Sequence, residues 1–354
     1  MQITALAGGV GGARFLRGLL DHLGPLPGTA DAGAPTDARA DAGAGTGPDT
    51  AAEPVPRLTV IGNTGDDITL YGLRVCPDLD TLMYTLGGGV HEGQGWGRAD
   101  DSRRLQEELV AYGAQPQWFT LGDLDLATHV ARSQWLGQGL PPSEVTRRLA
   151  ARWGLPAQGV RLLPMSDDPI ETHVVVDEGD GPIAMHFQEW WVRLRAAVPA
   201  QRFVAVGMDR ARPAPGVLEA IREADVVLLP PSNPVVSIGV ILGVPGVRDA
   251  LRETVAPVVG VSPIVNGAPV RGYADACLAA LGLPTTAASV ARLYADVLDG
   301  WLVDDADADA GPWPERAEVE SRPLLMRNRA AAAELAGAAL ELGLRLGSPA
   351  VSGR

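Results

Sequence analysis

Apolar residues open the chain as one short run, Ile3 to Ala7, which stops at Gly8, Gly9, Val10, Gly11 and Gly12. A continuous apolar run of that length, bounded by glycines, predicts a buried strand. Beyond the turn, Phe15, Leu16, Leu19, Leu20 and Leu23 recur at helical spacing. Strand, glycine turn and helix in that order are the opening of a nucleotide-binding α/β sheet. Leu58 to Ile61 predicts a second strand, with Asn63 to Asp67 as the loop at its carboxyl end. Helical patterning follows over Asp100 to Tyr112 and Ser143 to Trp153, and strands over Val160 to Leu163 and His173 to Val176. A regular alternation then returns: helix Gly216 to Ala224, strand Val226 to Leu229, helix Val247 to Thr254, strand Val258 to Val261. Arg329 to Leu342 is an Ala/Leu-rich helix, and no internal repeat is evident. Strands alternating with helices predict an α/β protein with a parallel sheet and right-handed crossovers.

Gly24 to Pro56 breaks this pattern, being Ala, Gly, Asp, Thr and Pro with almost no bulky apolar residue. Burial cannot offset the ordering entropy of such a stretch, so it is expected to be a disordered surface insertion without a catalytic role. At 354 residues one large α/β unit and two coupled lobes are both allowed, and a single unit is expected. Its core is expected at about 1–90 and 200–305, with a mixed α/β lobe at about 91–199 inserted over the active site.

Composition narrows the chemistry. A net charge of −14 leaves no basic face for a nucleic-acid partner. All 29 basic residues are arginine, which removes a Walker lysine, a Schiff-base lysine and a lysine base together. Cys76 and Cys277 are too few for a disulfide framework or a cysteine zinc site. No basic region precedes the first apolar run and no later run reaches membrane-spanning length, so a cytoplasmic protein with no membrane association is expected.

In parallel sheets ligands bind at the carboxyl ends of strands, and three loops hold that position: Gly8 to Gly12, Asn63 to Asp67, and Pro230 to Ser237. Glycines let backbone N–H groups approach phosphate oxygens, the helix dipole favours the anion, and Arg14 adds a charge. From Gly9 the spacing is G-x-G-x-x-R, which breaks the dinucleotide fingerprint and, alone, also describes a ligand-free turn. Asp66, Asp67 and Asp80 supply hard oxygen ligands of the kind that hold magnesium against phosphates, whereas Asp78 reads as a helix cap. Asp123, Asp125 and His129 form a second polar segment, and Ser166, Asp167 and Asp168 a third. For these, caps and structural contacts compete with ligand contacts. Trp190 and Trp191 suit either an aromatic wall or core packing. Ser232, Asn233 and Ser237 present hydroxyl and amide groups after a buried strand.

Together these stretches resemble the 2-phospho-L-lactate transferase family (CofD/FbiA type) of coenzyme F-420 biosynthesis. The resemblance rests on Ala7-Gly8-Gly9-Val10-Gly11-Gly12-Ala13-Arg14-Phe15, Gly62-Asn63-Thr64-Gly65-Asp66-Asp67, Cys76-Pro77-Asp78-Leu79-Asp80-Thr81 and the segment Gly122 to Ser133. It extends through Leu163-Pro164-Met165-Ser166-Asp167, His186-Phe187-Gln188-Glu189-Trp190-Trp191 and Pro231-Ser232-Asn233-Pro234-Val235-Val236-Ser237-Ile238-Gly239. It implies a Rossmann-like core, a homodimer, magnesium, a guanosine diphosphate-linked three-carbon acid as donor, the deazaflavin FO as acceptor, and GMP as the released product. Gly-Gly-Val-Gly-Gly-Ala-Arg-Phe and Gln-Glu-Trp-Trp-Val-Arg resemble the actinobacterial branch, which favours a phosphoenolpyruvyl over a phospholactyl group. Carried onto this chain, the family pattern places the metal on Asp66 and Asp80 and the donor phosphates on the glycine loop and Ser232 to Ser237. The remaining polar residues of the matching segments, among them Asn63, Asp67, Asp123, Asp125, His129, Ser133, Ser166 and Asp167, join the substrate site. Leu124 departs from the family, which carries a basic residue there; Arg98, Arg103 and Arg132 stand near enough in sequence to compensate.

Two other functions share parts of this pattern. A nucleotide-binding regulatory protein with the same core needs the loops but no transfer chemistry. A nicotinamide-dependent oxidoreductase rests on the glycine turn alone, and the broken fingerprint counts against it.

Overall fold

The computed structural model describes residues 1–26 and 57–348. The expected insertion therefore falls, beyond its first three residues, outside the described chain.

Seven strands form one sheet, all parallel: β1 (Ile3–Ala7), β2 (Leu58–Gly62), β3 (Val160–Pro164), β4 (Val226–Leu229), β5 (Val258–Val261), β6 (Gly300–Val303) and β7 (Glu318–Ser321). Their spatial order is 3-2-1-4-5-6-7. The first strand is central, with Ile3 opposite Leu58 on one side and Val226 on the other. Strand order reverses between β1 and β4, so their carboxyl ends splay apart into a crevice, the usual place for a ligand in such sheets. This is the parallel α/β sheet that the alternation predicts and the Rossmann-like core that the resemblance implies.

Side chains alternate across each strand and feed two cores. Ile3, Ala5 and Ala7 face one layer, where Phe15, Leu16 and Leu19 of α1 (Gly9–Leu23) pack with α2 (Pro77–Leu86), α4 (Pro142–Arg152) and α5 (Arg329–Gly347). Leu6 and Ile61 face the other, covered by helices Val217–Arg222, Val247–Glu253, Ala274–Ala280 and Ala287–Leu293. At roughly 1.5–3 kcal/mol for each large side chain fully buried, these layers hold the loops at the strand ends in place.

The lobe boundaries differ from the sequence reading. Val160–Pro164 is an edge strand of the main sheet, hydrogen-bonded to β2, and Glu318–Ser321 extends the sheet past residue 305. Short apolar strands look alike whichever sheet they join. The separate part consists of a three-stranded antiparallel sheet, Pro182–His186, Glu171–Asp177 and Ala200–Val206, and the helices around α3 (Asp123–Gly137).

The helix expected over 100–112 is confined to Arg104–Ala111. Asp100 has φ +54°, and the side chain of Asp101 leaves that segment to accept the N–H groups of Leu124 and Asp125 at 2.7 and 2.9 Å. It thereby caps α3, whose own N-cap, Gly122, has no side chain to offer. Among the described residues no single helix is long and apolar enough to cross a membrane.

Candidate functional site

Above the carboxyl ends of β1 and β4 opens a cleft of about 630 Å³. Gly9 starts α1 with φ +63°, a conformation that glycine adopts without strain. Two residues on, a Cβ on Gly11 would stand 2.4 Å from the carbonyl oxygen of Pro231. Glycine is thus what lets the loops after β1 and β4 touch. Ser232 fastens them, its Oγ accepting from Gly8 N at 3.1 Å and donating to Gly8 O at 2.8 Å. Asn233 Oδ1 accepts from Val235 N and Val236 N at 2.9 and 3.1 Å and so caps the turn that carries Ser237.

The loop after β2 and the first turn of α2 bring carboxylates to the same place. Asn63 stands between them: Nδ2 donates to Asp78 Oδ2 at 2.9 Å and to Asp66 Oδ1 at 3.4 Å. Gln188 Nε2 donates to Asp66 Oδ2 at 2.9 Å, and Ser237 Oγ to Asp78 Oδ2 at 3.4 Å. Both carboxylates are buried, and their partners are neutral donors. Burial first, then the neighbouring Asp78 and Asp67, push the Asp66 carboxyl well above its ordinary range. Burial pushes Asp78 up to about 6, against the hydrogen bonds of Asn63, Gly9 and Ser237. Two buried carboxylates without a cationic partner among the described residues are hard oxygen donors of the kind that suits a divalent cation.

Asp80 has a different environment. Arg132 on α3 donates Nη1 to Asp80 Oδ2 at 3.0 Å and Nη2 to Oδ1, both side chains being buried. Its charge is already matched, so the acids of the cleft left with neutral partners are Asp66 and Asp78 rather than the expected pair Asp66 and Asp80. Asp78 is correspondingly no cap: it is the second residue of α2, follows the N-cap Cys76 and turns toward Gly8 and Gly9. Arg132 Nη1 also donates to His129 Nδ1 at 3.1 Å, leaving the ring proton on Nε2, which lies 3.4 Å from Asp125 Oδ2. His129 thereby accepts from the guanidinium that holds Asp80, while its Nε2 approaches Asp125 without a hydrogen-bond partner among the described residues.

The profile of a family described as 2-phospho-L-lactate transferase CofD matches residues 3–336. The chain belongs to the CofD family. It is 58% identical over 350 residues to a phosphoenolpyruvate transferase of Thermobifida fusca, covering 98% of this chain and 99% of that one. A phosphoenolpyruvate transferase of Kitasatospora aureofaciens is 56% identical over 345 residues, 97% of this chain and 98% of that one. Among solved structures, a UPF0052-family protein of Bacillus halodurans superposes with a TM-score of 0.56 over 96% of this chain and 98% of that one. At 16% identity that likeness is one of fold.

This CofD-family transferase gathers Gly9, Val10, Gly11, Arg14, Asn63, Asp66, Asp80, Asp125, His129, Ser232, Asn233 and Ser237 around the cleft. Gly12 lies beneath it, where a Cβ would meet Ser232 Oγ at 2.5 Å. Asp67 points to the other side of its loop, into a second cavity of about 290 Å³ shared with Ser166, Asp167, Arg74 and Arg132. Asp167 caps α4 there, accepting from Ser143 N and Oγ at 2.6 and 2.8 Å, while Ser166 Oγ donates to Arg212 O at 2.7 Å. Asp123 accepts from Ser102 Oγ and from Leu105 N, the latter at 3.1 Å, and Ser133 Oγ accepts from Arg74 N at 2.8 Å. Trp190 is a core residue, wholly buried, with Nε1 donating to Val198 O at 2.7 Å. These side chains complete backbone and core rather than line the cleft.

Of the arginines considered near Leu124, none lines the cleft. Arg98 donates to Leu124 O at 3.0 Å, Arg103 precedes helix 104–111, and Arg132 holds Asp80. The cleft is lined instead by Asp78, which the sequence reading took for a helix cap, by Trp191, one of the two tryptophans weighed as an aromatic wall, and by Gln188, Tyr273 and Arg271, which it did not assign. Trp191 meets Tyr273 edge-on at 4.8 Å between centroids, and Trp118 meets Phe119 edge-on at 5.8 Å, giving the cleft two separate aromatic surfaces. The quoted Trp-Trp pair carried a signal for Trp191; nothing local marked Arg271.

Proposed function

We propose that this CofD-family transferase moves a phosphoenolpyruvyl group, or its phospholactyl counterpart, from a guanosine diphosphate-linked donor to a hydroxyl of the deazaflavin FO. GMP is released, and the product is a precursor of coenzyme F-420. The observation that carries the reading is the cation-free Asp66–Asp78 pair facing the amide-rich start of α1 inside one cleft. Names of the relatives favour the enolpyruvyl group. A homodimer and a cytoplasmic location belong to the same proposal.

The amides of the glycine loop and the hydroxyl of Ser237 suit the donor phosphates, with the α1 dipole favouring their charge. Two aromatic surfaces suit two planar ring systems, the guanine and the deazaflavin. Asp66 and Asp78, oriented by Asn63 and Gln188, would hold magnesium. When bound, that ion supplies charge neutralisation for the phosphates and the leaving GMP. The acceptor oxygen bonds to the phosphorus that bears the three-carbon acid as the bond from that phosphorus to the GMP oxygen breaks, and the hydroxyl proton passes to a carboxylate of the cleft. Positioning by the fixed loops is the chain's main contribution.

Incubation with FO, magnesium and each guanosine diphosphate-linked donor, with mass detection of the adduct, tests the proposal. An adduct with the enolpyruvyl donor is expected. Saturable nucleotide binding with no adduct from either donor would support the regulatory-protein reading instead.

A further inference from the structure

Arg14, on α1, and Arg271, in the turn after the short strand Ala268–Pro269, converge on one end of the cleft. Arg14 Nη2 and Arg271 Nη1 each lie 3.4 Å from the point where a Cβ on Gly95 would stand. Carbonyl groups of the segment 91–97 are their partners: Arg14 Nη2 donates to Glu92 O at 3.4 Å, and Arg271 Nη2 to Gln94 O. The Glu92 carboxylate is engaged elsewhere, held by Arg17 at 2.5 Å. Among the described residues neither Arg14 nor Arg271 has a carboxylate within salt-bridge distance. Other arginines of this chain show the contrast, Arg132 holding Asp80 and Arg248 holding Asp296.

Two guanidinium groups brought together without an anion repel each other. Partial burial, followed by the charge of Arg14, holds the Arg271 pKa below the ordinary guanidinium value. The arrangement is stable only because carbonyl dipoles and solvent share the charge, and an oxyanion entering the cleft would meet two donor forks at once. Arg271 is solvent-accessible, so a ligand reaches it without rearrangement of the core.

We infer that Arg14 and Arg271 form a paired oxyanion site for the donor, taking either a nucleotide phosphate or the carboxylate of the three-carbon acid. This rests on the nucleotide-donor reading given above and assigns substrate contact to Arg271. The two sources differ in one testable respect. Guanosine diphosphate carries the phosphates alone, and the acid-linked donor adds the carboxylate.

The test is calorimetric titration of guanosine, GMP and GDP into the full-length wild type, Arg271→Met and Arg14→Met, together with donor KM from the transfer assay. Loss of a charge-assisted contact of this kind is expected to weaken the affected ligand about 10- to 100-fold. Weaker GDP binding with unchanged guanosine binding assigns the pair to phosphate. Unchanged GDP binding with a raised donor KM assigns it to the carboxylate. Arg271→Lys should restore part of the loss, because it keeps the charge and loses the fork. GDP affinity and donor KM both unchanged in Arg271→Met, in a wild type that binds and turns over, overturns the inference alone. A wild type that neither binds GDP nor turns over overturns the nucleotide-donor reading as well.

Discussion

The loop Asn63 to Asp67 has a cavity on each side, and the two treat charge differently. On the cleft side Asp66 and Asp78 meet amides and hydroxyls only. On the other side Asp67 faces Arg74, with Nε 3.7 Å from Oδ2, and Arg132 lines the same wall, yet burial still pushes the Asp67 carboxyl up to about 7 and its Oδ1 has no hydrogen-bond partner among the described residues. The ion pair of Asp80 with Arg132 is the partition, Asp80 lining the cleft and Arg132 the smaller cavity. Neighbouring acids in sequence therefore serve opposite purposes. Asp80 consumes its charge against Arg132 within the fold, whereas Asp66 and Asp78 leave charge for something that arrives.

Substitutions can break this contrast. Asp66→Asn and Asp78→Asn should each lower transfer activity on the order of 100- to 1000-fold with thermal stability retained, because they remove ligand-directed charge from a preorganised site. Near-normal turnover in both would show that the pair is not the ion's seat. On the partition the effect reverses in kind. Arg132→Met should cost about 3–5 kcal/mol in denaturant unfolding, since it leaves Asp80 buried and unmatched. Asp80→Asn in that background should recover part of the loss, and a single variant as stable as the wild type would refute the partition.

Magnesium sharpens the same comparison. At a tenfold excess over its dissociation constant it should stabilise the wild type by about 1.4 kcal/mol, a gain absent from Asp66→Asn. Equal shifts in both proteins would place the ion elsewhere.

The smallest effect belongs to a carboxylate outside both cavities. Hydrogen bonds from Arg147, partly offset by burial and joined by those from Arg148, hold Glu144 down to about 2. A depressed folded pKa contributes stability above the unfolded value of 4.5 and loses it as pH falls through about 2. Glu144→Gln should therefore cost under about 1 kcal/mol near neutrality, and the difference should vanish at the acid end. A difference that persists there would assign the effect to packing.

Much of this was legible because it is local. Ile3 to Ala7, the glycines and the leucines of α1 declare their geometry within a score of residues, and each loop that builds the cleft follows an apolar run. Partnership across the sheet is not local. Nothing in Val160–Pro164 says that it pairs with β2, and nothing near Val270-Arg271-Gly272 says that Arg14 waits opposite. Trp190 and Trp191 differ only in which way one short helical turn faces, so composition cannot tell core from cleft. Asp78 and Asp80 are two residues apart, and a helical step of that size sends side chains in divergent directions. One found Asn63 and the other Arg132. Asp123 and Asp167 looked like substrate ligands because a carboxylate that caps a distant helix has the same sequence signature as one that binds a ligand.

The central position of β1 sets an order of assembly. Earliest in sequence of the seven strands, it pairs on one side with a strand that begins at Leu58 and on the other with one that begins at Val226. The outer face of α1 waits longer still, until α5 arrives and Arg329 Nε reaches Asp21 Oδ2 at 3.0 Å. The glycine loop after β1 therefore stays half-built until the strand at Val226 exists, with one edge of β1 uncovered until then. Placing the sheet's earliest strand in the middle makes its completion depend on a partner separated from it by more than 200 residues of chain.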